Sequence, residues 1–345
     1  MSILFTSANI GALEIANRFV RSATAESAAT HGALPPEARG FYSRLAEGGI
    51  GLTITGHAYV TATGSTHESM AGIHCDSLIP GLRQLTESVH ACRCDAPPSA
   101  HPARLVMQIN HVGLNPPARI NEVPAAELRN IVSEFGMAAG RVKAAGFDGV
   151  QLHAAHGFLV SQFLSPGLNQ RRDEYRETGL AAAVLEAMRA EVGPDFPLLV
   201  KFNCDGLAED QLTPQQGAEL ARFLERAGAD AIEVSGNDRA GQNIHDPSQE
   251  AYFADHARHI KDVLDVPVIL VGGLRSMVRM EHLVHEEVAD FVSLCRPFIR
   301  EPGLVGRFWT ERFEKPVADC ASCGQCWSSP ELLNQCGVLH PMAAA

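Results

Sequence analysis

The sequence predicts an α/β chain folded as one (β/α)8 TIM barrel, and three observations carry that expectation. Eight short apolar runs rich in β-branched residues recur along the 345 residues, each separated from the next by enough chain for a helix. Runs such as Val268-Ile269-Leu270-Val271 are apolar on both faces, as strands of a covered parallel sheet are. No Gly-x-Gly-x-x-Gly follows the first run, although the competing doubly wound sheet would place its phosphate site there. A barrel of about 250 residues with additions fits the length.

Taken in order, the strands are expected at 19–22, 51–55, 105–108, 149–153, 198–202, 231–234, 268–271 and 291–294. Residues ahead of the first strand form an N-terminal cap. Amphipathic stretches at 78–91, 127–145, 180–192, 214–227 and 250–264 place apolar residues three and four apart and predict helices. Thr213-Pro214 reads as a cap with Pro at the first helical position, and Gly228 closes the same helix. The Pro-rich, polar segment 92–101 is a loop before the third strand. The repeating pattern ends near Phe313, which divides the chain into a barrel at 1–313 and a cysteine-rich C-terminal tail at 314–345, packed on or near it.

Composition narrows the function. With 46% hydrophobic residues and a mean hydropathy of -0.03, the chain has material for a large core. No apolar run reaches the roughly 18 residues that cross a bilayer, and the N-terminus lacks the pattern of a signal peptide, so a cytoplasmic protein is expected. A net charge of -12 opposes nonspecific binding to nucleic acid or anionic membrane and favours a small-molecule substrate. Nine cysteines without a secretion signal argue for reduced thiols rather than a disulfide scaffold. A homo-oligomer is compatible with all of this.

In a (β/α)8 barrel the chemistry sits at the C-terminal ends of the strands. Those ends carry Ser22-Ala23-Thr24, Thr55-Gly56, Gln108, His153, Lys201, Ser235-Gly236, Gly272-Gly273 and Cys295-Arg296. Gly272-Gly273 lets backbone N–H groups approach an anion, and Arg296 on the next strand offers a fork to the same phosphate. Both also have plain readings, as an ordinary turn and a surface ion pair. A lysine inside the apolar run 198–202 is rarely buried unless paired or used, so Lys201 is expected to face an electron-accepting ring, with Schiff-base chemistry as the rival role. The amide of Gln108 suits a ring edge of alternating C=O and N–H. Together these residues describe a site for a flat, polar-edged, phosphorylated ligand. His153 and His156 are a weaker signal, because zinc-protease spacing needs four residues and an intervening Glu, whereas Ala154-Ala155 stand between them.

Four motifs in order resemble the old yellow enzyme family of NADH:flavin oxidoreductases, in particular single-domain relatives of bacterial 2,4-dienoyl-CoA reductase. They are Gln108-Ile109-Asn110-His111-Val112-Gly113, the run 145–153 ending in Gln151-Leu152-His153, Gln162-Phe163-Leu164-Ser165-Pro166 with 169–175, and Ser293-Leu294-Cys295-Arg296-Pro297-Phe298 with Arg300-Glu301-Pro302. The resemblance implies FMN across the C-terminal mouth of the barrel and NAD(P)H as reductant. By position, Ala23, Thr24 and Gly56 would back the flavin, Gln108 would bind its pyrimidine edge, and Lys201 would stand near N1 and O2. Gly272, Gly273 and Arg296, with Cys295 beside it, would hold the ribityl phosphate end. His153 and His156 would bind an acceptor oxygen above the flavin, so that hydride from N5 reduces an activated alkene, an enone or a similar electrophile. The alternatives are an NAD(P)H oxidase or quinone reductase, and a flavin-binding electron carrier with little ene-reductase activity.

Three departures from the family pattern stand out. Phe158 occupies the position of the tyrosine that protonates the reduced alkene, leaving His245 or Tyr252 as candidate donors. Residues 176–180 replace the usual Gly-Gly-Ser and Glu-Asn-Arg run, and the 92–101 loop looks longer than usual. In the tail, Cys320, Cys323, Cys326 and Cys336 form C-x2-C-x2-C-x9-C, which suits a [4Fe–4S] cluster ahead of zinc, with a metal-free reduced tail as the alternative. Larger relatives place such a cluster before further domains, and with the sequence ending at Ala345 a cluster here would lack them.

Overall fold

The structure, a computed structural model, describes residues 2–94, 103–207, 210–236, 247–327 and 335–339. Eight parallel strands close a barrel: β1 (Phe19–Arg21), β2 (Leu52–Ile54), β3 (Arg104–Asn110), β4 (Gly149–Ala154), β5 (Leu198–Asn203), β6 (Ala231–Ser235), β7 (Val268–Val271) and β8 (Phe291–Leu294). Pairing of β1 with β8, β1 with β2 and β2 with β3 joins the two edges of the sheet. Each strand falls on a predicted run, and β3 continues two residues beyond its expected end, to Asn110. Two short strands, Ala58–Tyr59 and Ala71–Gly72, extend the sheet past the end of β3.

The inside of the barrel is built in layers. In the lower half Val20, Leu52, Ile54, Val106, Leu199, Ala231, Ile269 and Phe291 form an apolar plug. Below them, the antiparallel hairpin Ala8–Ile10 and Leu13–Ile15 inserts Ile10 and Ile15, so the N-terminal cap closes the bottom. Side chains alternate along a strand, so the residue two positions on from each plug residue also points inward. Those positions carry Ser22, Gln108, Lys201, Glu233 and Ser293, all buried. On β1, β3, β5, β6 and β8 the inward face is thus apolar only in the lower half, while β7 stays apolar through Val271.

Helices cover the outside, packing on Phe19, Leu105, Met107, Val150, Leu152, Val200, Phe202 and Ile232. The helix Pro214–Arg226 begins as its sequence predicts: Thr213 Oγ1 accepts from the Gln216 N–H at 3.3 Å, and the Gln216 side chain accepts from the Thr213 N–H at 2.9 Å. Beyond the helix Leu304–Glu311 the tail turns back onto the barrel. Pro316 O accepts from Met277 N at 2.8 Å, and Ala318 N donates to Arg275 O at 3.0 Å. Among the described residues, no helix is long and apolar enough to cross a membrane.

Candidate active site

The polar layer forms the floor of a cavity of about 300 Å³ at the C-terminal mouth of the barrel. Glu233, on β6 and 0% exposed, is the centre of this floor. Its Oε1 accepts from Ser22 Oγ at 2.7 Å and Ser293 Oγ at 3.1 Å, while Oε2 accepts from Gln151 Nε2 at 2.9 Å. Lys201 Nζ, from the neighbouring strand in register, donates to Ser22 Oγ at 2.8 Å and lies 3.6 Å from Glu233 Oε1. Gln151 in turn accepts from Gln108 Nε2 at 2.8 Å. A carboxylate can only accept, so its presence fixes the direction of every bond in this chain. Lys201 and Gln108, both lining the cavity, are the two outer ends of the network.

One wall is made of rings. His153 is the penultimate residue of β4, and its Nδ1 accepts from the Ala155 N–H at 3.2 Å, so the neutral ring carries its proton on Nε2. His156 adopts φ 60°, held by its N–H to Asn203 Oδ1 at 3.1 Å and by Nε2 to Ser235 Oγ at 2.9 Å. The two imidazoles stand perpendicular with centroids 5.1 Å apart, and Phe158 lies 4.5 Å from His153. Beside them is His57, whose ring is 5.1 Å from Phe158 and 5.9 Å from His153. Burial pulls His153 well below the ordinary histidine value, helped by the other imidazoles and by the Lys201 charge. Burial, with Lys201 and its neighbours, also lowers His156 to about 3 and His57 to about 4. These rings are therefore neutral at pH 7, and the cation on this side of the cavity is Lys201.

At the opposite end, Gly273 adopts φ 69° and lines the cavity with Cys295 and Arg296. Arg296 Nη1 donates to Ser322 O at 2.8 Å, which ties the tail to the mouth. Thr24 Oγ1 lies 2.9 Å from Cys295 Sγ, and Ala23 lines the cavity beside it. Two expected residues stand behind the wall rather than on it. Gly56 donates its N–H to Glu26 Oε1 at 2.8 Å, and a Cβ there would overlap the Glu26 carboxylate and come within 2.5 Å of Thr24 O. Gly272, at φ 144°, makes room for Tyr252 and Phe253, whose rings a Cβ would meet at 3.2 Å. Tyr252 lines the cavity at this end, stacked edge-on to Phe253, and His245 falls outside the described residues.

These features fit FMN. A floor with one cation and one oriented amide matches the pyrimidine edge of a flavin, and the glycine and arginine at the β7 and β8 ends match a phosphate. A scan of protein families agrees: residues 3–315 match the NADH:flavin oxidoreductase / NADH oxidase family. The chain belongs to this family. It is 28% identical to the 4,4'-dithiodibutanoate disulfide reductase of Rhodococcus erythropolis, covering 94% of this chain and 92% of that protein. It is 30% identical to the NADH oxidase of Thermoanaerobacter brockii, covering 93% of this chain but only 52% of the relative. Among solved structures, a 2-naphthoyl-CoA reductase complex superposes with a TM-score of 0.85 at 22% identity, over 97% of this chain and 56% of that one. Morphinone reductase gives 0.75 at 23% identity, over 92% and 91%. At such identities these structures attest the TIM barrel. The chain spans about half the length of several relatives that it matches.

As a member of this family the chain is an FMN-dependent oxidoreductase, and its floor network includes Glu233 and Gln151; the strand-end pattern singles out neither of these, nor His57. A signal for two of them was present. Gln151 precedes His153 by two residues and Glu233 precedes Ser235 by two, the spacing of inward-facing positions on a strand. His57 directly follows Gly56 beyond the end of β2, on the rim where a barrel carries its chemistry.

The tail cysteines Cys320, Cys323, Cys326 and Cys336 line a second, smaller cavity of about 60 Å³, together with Arg296 and Arg300. Burial pushes the Cys320 thiol up and that of Cys326 up to about 12. The donor chemistry suits a metal, but among the described residues no three such side chains are set around one point at ligand distance. The four thiols are gathered, not arranged.

Proposed function

We propose that this chain is an NAD(P)H-dependent reductase of a small electrophilic acceptor, an enone or other activated alkene, held by His153 and His156. The observation that supports this most directly is the pair of neutral imidazoles on the cavity wall beside Lys201, with His153 carrying its proton on Nε2. A neutral N–H donor binds a carbonyl or nitro oxygen and stabilises charge developing on it without itself ionising. FMN, when bound, supplies hydride transfer between nicotinamide and acceptor. The chain's own residues orient the acceptor oxygen, hold a cation and an amide against the ring edge, and surround the site with apolar rings that exclude water. Lys201 is held by Ser22 and Glu233, an arrangement that supports a fixed charge better than a Schiff-base nucleophile.

Phe158 favours a second reading, in which the acceptor is a quinone or O₂ and needs no proton from that position. The deciding experiment is anaerobic reduction of the purified yellow protein by NADH or NADPH, followed by mixing with an enone, a quinone or air. Reoxidation by the enone at a rate that His153→Asn abolishes is the expected result. Reoxidation only by quinone or air assigns the second reading, and a protein that binds no FMN refutes both. Iron, sulfide and zinc analysis of anaerobically purified protein tests the tail, for which we propose a [4Fe–4S] cluster.

A further inference from the structure

We propose that Glu233 is a positioning residue for the flavin site: a buried anion that aims Lys201 and Gln108 at the ring edge and thereby sets the reduction potential of bound FMN. The inference rests on the FMN-binding reading above and concerns what lies beneath that site.

A carboxylate removed from water persists as an anion only when it is paired and hydrogen-bonded. Glu233 meets that demand with Ser22, Ser293 and Gln151 as donors and Lys201 as counter-ion. The consequences run outward along two arms. On one arm Ser22 donates its only hydroxyl proton to Glu233, so it presents a lone pair to Lys201 and holds the ammonium at 2.8 Å. On the other, Gln151 donates to Glu233, so its carbonyl oxygen must face Gln108 and receive the Gln108 N–H at 2.8 Å. That choice turns the Gln108 carbonyl oxygen away from Gln151. A neutral side chain at 233 could donate as well as accept, and both directions would be lost.

The charge matters as much as the direction. Hydride transfer from NAD(P)H to FMN places two electrons and one proton on the flavin and releases NAD(P)⁺, so the ring system gains negative charge. Lys201 favours that state, and Glu233, of the same sign as the reduced ring, offsets Lys201 from below. The floor is therefore a compensated pair rather than a bare cation, and its balance decides how strongly reduction is favoured.

The test is Glu233→Gln, read by the ratio of affinities for reduced and oxidised FMN and by the equivalent dye-coupled potential of the reconstituted protein. Removing the anion leaves Lys201 uncompensated, so the ratio should rise at least about tenfold, a positive shift of about 30 mV for a two-electron couple. Glu233→Asp, which keeps the charge, should return most of that shift. A purely structural role would weaken both redox forms equally and leave the ratio unchanged. FMN bound by E233Q with a ratio within about twofold of wild type, or a lower ratio, overturns the proposal. If E233Q does not fold, Lys201→Met and the K201M/E233Q double variant decide. K201M, which leaves the Glu233 anion uncompensated, should lower the ratio, and the double variant, which removes both charges, should return it toward wild type. A double variant whose ratio stays within about twofold of K201M overturns the proposal as well. Wild-type protein that binds no FMN would instead refute the functional reading on which this rests.

Discussion

Adding a hydroxyl at position 158 tests the chemistry of this site most directly. Phe158 precedes the short helix Leu159–Phe163 with φ -70° and ψ 169°, and its half-buried ring lines the cavity. In Phe158→Tyr the added oxygen is carried by a half-buried ring on the cavity wall rather than by one in the packed core. Fold stability should therefore change by no more than about 1 kcal/mol. The ring centroid is 4.5 Å from His153 and 5.1 Å from His57, so the phenol reaches the region above an acceptor bound at the histidine pair. A positioned general acid contributes roughly 10²–10⁴ in rate. Stopped-flow reoxidation of the reduced enzyme by a cyclic enone should accelerate by about 10², with a solvent isotope effect, while reduction by NAD(P)H stays within about threefold of wild type. An unchanged enone rate would refute the assignment of position 158 as the missing donor. Equal acceleration with a quinone would refute the proton-transfer explanation.

Two further outcomes follow from the geometry. Gly56→Ala should destabilise the FMN-free protein by more than about 2 kcal/mol in urea unfolding, because its Cβ overlaps the Glu26 carboxylate buried under Tyr42 and Arg21; weaker FMN binding with unchanged unfolding would return Gly56 to a cofactor role. Stability of the same protein should also fall with acidification. His57 and His111 are held at about 4 and His156 at about 3, all below the unfolded value of 6.5, so the unfolded chain binds more protons. Stability is then fully present above about pH 6.5 and declines below it, by up to about 1.4 kcal/mol per pH unit for each histidine. Urea midpoints at pH 7.5 and 5.5, before carboxylates titrate, check this, and a flat profile would refute neutral burial of the rings.

Much of the fold was legible because its signals are local. An apolar run such as 268–271 declares a buried strand wherever it stands, and Thr213-Pro214 declares a helix start through bonds within three residues. The strand ends then followed from the barrel itself, which brought Thr24, Gln108, His153, Lys201 and Arg296 to one cavity. Gly56 and Gly272 were harder, since a glycine at a strand end serves equally a ligand in front or a side chain behind.

By itself, then, the sequence determined the barrel, the rim of candidate residues and the phenylalanine at 158. Only the tertiary structure decided what holds that rim. Ser22 and Glu233 are 211 residues apart and meet because barrel closure turns alternate positions of distant strands onto one axis. His57 reaches Phe158 in the same way. Such contacts have no local pattern to announce them, and a buried charge is tolerable only once all its partners have been assembled by the fold.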